Sequence, residues 1–354
     1  MKFGLTISLL LTAVCGVLAQ SGRVKPAETP TPKPVARTGT GAYVPTQLPS
    51  TVPVDLPVGA PTSKDDDSVI KVESALVPIP ASVIDVHGRS IANLRLDDFE
   101  LKIDGKPAEV SELSRAETPI RLALLFDNSS SVLIARDFEK EAAMRFLRRV
   151  IRPEKDLAAL FSVATVSRLE QPFTREISAL VQAIQLFPPP EGATALLEGI
   201  ILAADYVRDV SGRRVVVIVS DGDDTKSDST LQETVRSLLV ANCQVYVVKT
   251  TDFENYKRTG SRRGNANLRQ LAAERRMQEI ADQTGGAVYS PIDERELDDA
   301  FRQISAELAQ QYILSYYPES ESGRGGEFRQ ISLGVRNRQN LTVRTRKGYY
   351  VPKK

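Results

Sequence analysis

Asp127, Ser129 and Ser131 alternate within LLFDNSSSVL, at the end of a run of apolar residues. Spaced by two along an extended loop, one carboxylate and two hydroxyls fall on the same side. Thr194 stands in EGATAL, in a loop just ahead of a helical stretch. Asp221 follows a second apolar run, RRVVVIVSDG. All five are hard oxygen ligands, with no sulfur or imidazole among them. Such a set suits Mg2+, with Mn2+ or Ca2+ as substitutes, because these ions take carboxylates, hydroxyls and retained waters. Two acids shared among few ligands leave the cation electrophilic, so an open position on it could accept a carboxylate from a protein partner.

Those residues meet only if the right elements carry them. IRLALLFD, DLAALFSVA, RLEQPFT, RRVVVIVSDG, CQVYVVKT and AVYS are six strand candidates between Ile120 and about Gln310. Helical spacing separates them: Phe138 to Val150, Ile177 to Phe187, Ala195 to Val210, Leu231 to Val240, Leu268 to Thr284, and a stripe from Leu297 to Leu308. Strands this apolar, alternating with helices, predict an α/β fold with a doubly wound, mostly parallel six-stranded sheet over 119–310. In a 3-2-1-4-5-6 order the strands ending in Asp127 and Asp221 are neighbours at the switch point, where ligands bind. The segment DFENYKRTGSRRGNAN after the fifth strand is expected to be a loop on the same edge. Its Lys257, Arg258, Arg262 and Arg263 either steer an acidic partner or face solvent. Asp223 and Asp224 either tune the metal site or face water.

The flanks are of another kind. Residues 1–19 carry Lys2, an apolar run from Leu5 to Val14 and Val17-Leu18-Ala19, the pattern of a secretory signal peptide. Removing them takes away Lys2 and no acid, so the net charge falls from +1 to zero. That balance argues against nucleic acid as the partner. Cys15 would leave with the signal, so Cys243, in an apolar strand, is expected to be a buried and inert thiol. Residues 20–67 hold nine prolines from Pro26 to Pro61 and end in Asp65-Asp66-Asp67, a linker unable to bury enough surface to fold. Residues 68–118 and 311–354 are β in character and are expected to pair into a small accessory β domain. Asp104-Gly105 between two alternating segments marks a two-residue hairpin, and His87-Gly88 a turn. No stretch after the signal is long and apolar enough for a transmembrane helix.

Asp-x-Ser-x-Ser after an apolar strand, then Thr194 in Gly-x-Thr, then a strand ending in Ser-Asp-Gly resembles the von Willebrand factor A domain. Carried over by residue, the resemblance makes Asp127, Ser129, Ser131, Thr194 and Asp221 its metal-ion-dependent adhesion site. The segments LRLDDFELKIDGKPAEV and YILSYYP to RTRKGYY resemble the flanks of the VWFA-related proteins common in acidobacteria. The resemblance implies a bacterial protein exported to the periplasm, cell surface or medium, with a metal-site domain and no specified ligand. A strand ending in Asp is also similar to phosphatases of the haloacid dehalogenase type. Those carry a second acid two residues on, where this chain has Ser129, and the single histidine, His87, lies in a turn. Acid–base catalysis therefore has no evident agent. The expectation is a non-enzymatic binding or adhesion protein whose cation bridges to an acidic group on a protein. The alternatives are a scaffold that uses no metal and, behind it, a metal-dependent phosphohydrolase.

Overall fold

Four short strands begin the fold: β1 (Val77–Asp85), β2 (Phe99–Ile103), β3 (Lys106–Ala108) and β4 (Glu112–Arg115). Asp104 and Gly105, with φ of 50° and 79°, make the expected two-residue hairpin between β2 and β3. The alternating part follows as β5 (Ile120–Asp127), α1 (Arg136–Val150), β6 (Leu157–Val163), β7 (Arg168–Thr174), α2 (Ile177–Gln185) and α3 (Leu196–Val207). It continues as β8 (Arg213–Ser220), α4 (Leu231–Val240), β9 (Cys243–Lys249), α5 (Thr251–Thr259), α6 (Leu268–Thr284), β10 (Ala287–Tyr289) and α7 (Glu294–Gln310). The last strands are β11 (Tyr312–Tyr316), β12 (Phe328–Val335), β13 (Leu341–Thr345) and β14 (Gly348–Tyr350). This computed structural model describes residues 76–115, 118–130, 136–262, 267–318, 325–336, 338 and 340–352. Expectations for the signal peptide, the linker and the start of the N-terminal β segment (68–75), and for Ser131 and Arg263, lie outside the described residues.

The central sheet has the order β10-β9-β8-β5-β6-β7, which is 3-2-1-4-5-6 counted within the alternating part. All its neighbours run parallel except β7, which pairs antiparallel with β6 at the edge. Pro172 is tolerated there because an edge strand has amide groups that need no ladder partner. Both faces of the sheet are buried. Leu122, Leu124 and Phe126 of β5 pack with α1, α2 and α7 on one face, and Ala123 and Leu125 pack with α3, α4 and α6 on the other. Cys243 is buried in the second of these layers, and burial pushes its thiol up to about 12.

The flanking segments pair with each other, as expected, into two four-stranded antiparallel sheets, β13-β1-β11-β4 and β14-β12-β2-β3. Ile79, Val83, Phe99, Leu101, Leu314 and Ile331 fill the space between them. Two expectations need correction. The segment after β9 is not all loop: Thr251–Thr259 forms α5, with Phe253 fully buried and Gly260 ending it in the left-handed region at φ 69°. LTVRTRKGYYV, strand-like in sequence along its whole length, is not one strand. It divides into β13 and β14, which belong to different sheets. The break falls where Lys347 N donates to Gln283 O, so α6 takes the backbone group that would have continued the ladder.

Candidate metal centre

β5 and β8 are parallel neighbours in register from Ile120 with Arg213 to Phe126 with Val219. Their carboxyl ends therefore deliver Asp127 and Ser220 side by side at one rim of the sheet. The order of connection reverses here, with α1 leaving to one face and α3 arriving on the other, so a crevice opens between the loops.

Asp127 is only 1% exposed. Its Oδ1 accepts the Ser129 amide at 2.9 Å, and its Oδ2 accepts the Ser220 hydroxyl at 2.5 Å. Burial and then the Asp221 carboxylate push the Asp127 carboxyl up to about 6, against the pull of the Ser220 and Ser129 hydrogen bonds. Asp221 Oδ1 accepts the Asp223 amide at 2.9 Å, and its carbonyl takes the Thr251 hydroxyl at 3.0 Å. The loop bearing Asp127 is fixed by Asn128 N to Val163 O at 2.7 Å and by Glu191 N to Asn128 O at 3.0 Å. Gly192 is required beside it: its φ is 76°, and a Cβ would lie 2.5 Å from the Thr165 hydroxyl.

Thr194 is 3% exposed, at the entrance to α3. Its amide donates to Thr225 Oγ1 at 3.0 Å, and its carbonyl accepts Thr225 N at 2.9 Å and Lys226 N at 3.0 Å. The loop that begins with Asp221 thus clasps the residue expected to act with it. The same loop caps α3. Asp224 Oδ1 takes Leu196 N at 3.3 Å and Ser227 Oγ takes Leu197 N at 3.1 Å. Asp224 is therefore a capping residue, and Asp223 pairs with Arg269 at 2.5 Å.

The structure brings the Asp127 and Asp221 carboxylates into electrostatic contact, sets Ser129 against Asp127, and ties Thr194 to the Asp221 loop. Among the described residues, no three acidic, histidine or cysteine side chains converge on one cation-sized point. A cation here would draw on paired carboxylates and on hydroxyls, the donor set that Asp127, Asp221, Ser129 and Thr194 supply. The basic residues of the α5 segment divide. Lys257 lies 3.9 Å over the Phe138 ring and pairs with Glu294, and Arg262 pairs with Asp293 and Glu296. Both are tied to the first turn of α7. Arg258 instead lines a cavity of about 300 Å3 together with Asp221, Asp223, Glu254 and Arg269.

Sequence reasoning passed over three contributors. Ser220 orients Asp127, although it stands in the quoted SDG. Glu254, beside the site, has its carboxyl pushed up to about 8 by burial and by Asp221. Glu139 of α1 is 1% exposed, on the buried stripe Ala142, Ala143, Phe146, Leu147 and Val150. An acid at that spacing was a signal available in the sequence.

The von Willebrand factor type A domain model matches residues 122–303. No curated protein matches the chain. Among solved structures, a von Willebrand factor type A protein from Catenulispora acidiphila is 12% identical, with TM-score 0.43, over 80% of this chain and 75% of the other. The PilB minor pilin of Streptococcus sanguinis is 11% identical, with TM-score 0.42, over 55% of this chain and 62% of the pilin, so the match spans less than two thirds of that protein. An aerotolerance-related membrane protein from Bacteroides fragilis NCTC 9343, carrying multiple mutations to serines, is 20% identical, with TM-score 0.40, over 53% and 98%. The assignment rests on the domain match, which takes in just over half of the chain. The chain belongs to the von Willebrand factor type A domain family.

Proposed function

We propose that this chain is an exported, non-enzymatic binding protein. Asp127, Ser129, Ser131, Thr194 and Asp221 hold a divalent cation, Mg2+ or in its place Mn2+ or Ca2+. The cation bridges to a carboxylate on a protein partner. The observation that carries this reading is the pairing of buried Asp127 with Asp221 at the switch point of the sheet, where burial and the second carboxylate together push Asp127 up to about 6. Hydroxyls and amides contact the pair directly, the Glu254 carboxylate adds to its negative charge, and a divalent cation relieves acids so placed. Family membership supports an interaction module in place of an enzyme. Among the described residues no helix is long and apolar enough to cross a membrane.

One observation favours the alternative of a scaffold without a cation. Both Asp127 oxygens already accept a hydrogen bond, from Ser129 and from Ser220. The experiment that separates the two readings is capture of the chain on immobilised peptides bearing a single Glu or Asp, in Mg2+ and in EDTA. A metal-dependent interaction module is retained in Mg2+, released by EDTA, and lost in Thr194→Ala. Retention unchanged by EDTA, or no retention at all, favours the scaffold.

A further inference from the structure

Behind the Asp127 loop lies a second acidic centre that the five-residue site does not use. Glu139 is 1% exposed, and among the described residues neither of its carboxylate oxygens has a hydrogen-bond partner. An ionised carboxylate in that state is among the costliest groups a fold can carry, and its presence calls for an explanation such as a bound ion. The charge that bears on it most is Glu254, followed by Asp127. α5 packs on α1 through Phe253 and Phe138, whose rings lie 6.0 Å apart, and Glu254 and Glu139 are the next residues along each helix.

The donors nearby are engaged only in part. The Thr250 hydroxyl faces both acids, but its one proton goes to Glu254 Oε1 at 3.0 Å. Arg136, one turn before Glu139, donates from Nη2 to the Pro188 carbonyl at 2.7 Å and lies over the Phe187 ring; its charge offsets part of the Glu139 charge, and among the described residues its Nη1 has no acceptor. Lys257, on α5, is turned to Glu294. Access exists from one side, because Glu254 lines the cavity of about 300 Å3 that opens beside Asp221.

We infer that Glu139 and Glu254 hold a second divalent cation of the hard, oxygen-preferring class, with the Thr250 hydroxyl oxygen beside them and water completing its shell from the cavity. Two carboxylates from two helices and an oxygen from the β9–α5 junction are an appropriate set for such an ion. The second ion fixes α5 against α1 and so braces the wall of the first site. It stands independently of whether the five-residue site is occupied.

The test counts ions in the metal-stripped full chain with Mn2+, using the electron paramagnetic resonance signal of free Mn2+. Two ions per chain are expected, falling to one in Glu139→Gln and to one in Thr194→Ala. Equal counts in the wild type and Glu139→Gln overturn the inference. One ion lost in Thr194→Ala but kept in Glu139→Gln overturns it while leaving the proposed function standing. One ion with the reverse pattern upholds it and removes the metal site from the proposed function. A fold control accompanies the count. In EDTA, Glu139→Gln should melt no lower than the wild type, because the variant removes a buried charge. Mn2+ should raise the melting temperature of the wild type by more than that of the variant. A variant that melts lower in EDTA gives Glu139 a structural role without metal and overturns the inference.

Discussion

Ser220 shows how much of this site depends on a residue outside the proposed ligand set. Its hydroxyl donates to Asp127 Oδ2 and in turn accepts the Gly222 amide at 3.0 Å, so one side chain orients the acid and closes the turn after β8. Replacing such an orienting partner lowers metal affinity about 10–100-fold. Ser220→Ala should therefore weaken Mg2+ and Mn2+ binding by that factor, as read by calorimetric titration. Unchanged affinity would show that Asp127 needs no orientation. At this scale the sequence was informative where residue type and order together pointed to one rim of the sheet, as for Asp127, Ser129, Thr194 and Asp221. It said less where burial assigns the role, as for Glu139, marked only by its spacing with the buried stripe of α1. Glu139 falls in the first turn of a helix, where an acid is normally a favourable solvent-facing group. In the folded chain it is 1% exposed.

Asp156 plays the corresponding part for the element that carries the site. It is fully buried at the start of β6, where Oδ1 accepts Ile120 N at 2.7 Å and Oδ2 accepts Arg152 Nε at 2.7 Å. Burial raises its carboxyl, but the Arg152 guanidinium and the Ile120 and Arg152 amides outweigh burial and hold it below the ordinary 3.8. A folded value below the unfolded one stabilises the fold above the unfolded value, and that stabilisation fades as pH falls through the folded one. Asp156→Asn should cost about 3 kcal/mol near neutrality, because it leaves buried donors unpaired. The gap between wild type and variant should narrow below about pH 4, as read by urea denaturation. A gap independent of pH would contradict the ion-paired role. The central elements were legible because continuous apolar strands separated by helical stripes have few other solutions. α5 was hidden because a nine-residue helix rich in charge shows a single buried aromatic, Phe253. The split of β13 from β14 was hidden because Gln283, distant in sequence, takes the Lys347 amide.

At the scale of the molecule, the α/β part and the paired flanking sheets are joined through buried polar contacts. Glu307 of α7 accepts Tyr289 OH at 2.8 Å and Tyr246 OH at 3.2 Å, and pairs with Arg344 of β13. Gln311, between α7 and β11, donates to Gln244 at 2.7 Å and to Ser82 at 3.3 Å. Removing one partner of a buried ion pair costs about 3–5 kcal/mol, so Arg344→Ala should lower stability by that order. A single calorimetric transition is expected for the wild type, and a second, earlier one should separate in the variant. One unchanged transition in the variant would mean that the two parts are not coupled through this pair. The pairing of the flanks was legible in their β character; their side-chain junction with α7 was not, because it depends on residues far apart in the chain. The central claim, that Asp127 anchors a divalent cation, is tested most directly by calorimetric titration of Mg2+ and Mn2+ into the metal-stripped full chain beside Asp127→Ala. Saturable binding in the wild type, with the first site lost in the variant, is the predicted result. Binding that survives unchanged in Asp127→Ala, or no binding in either protein, would contradict it.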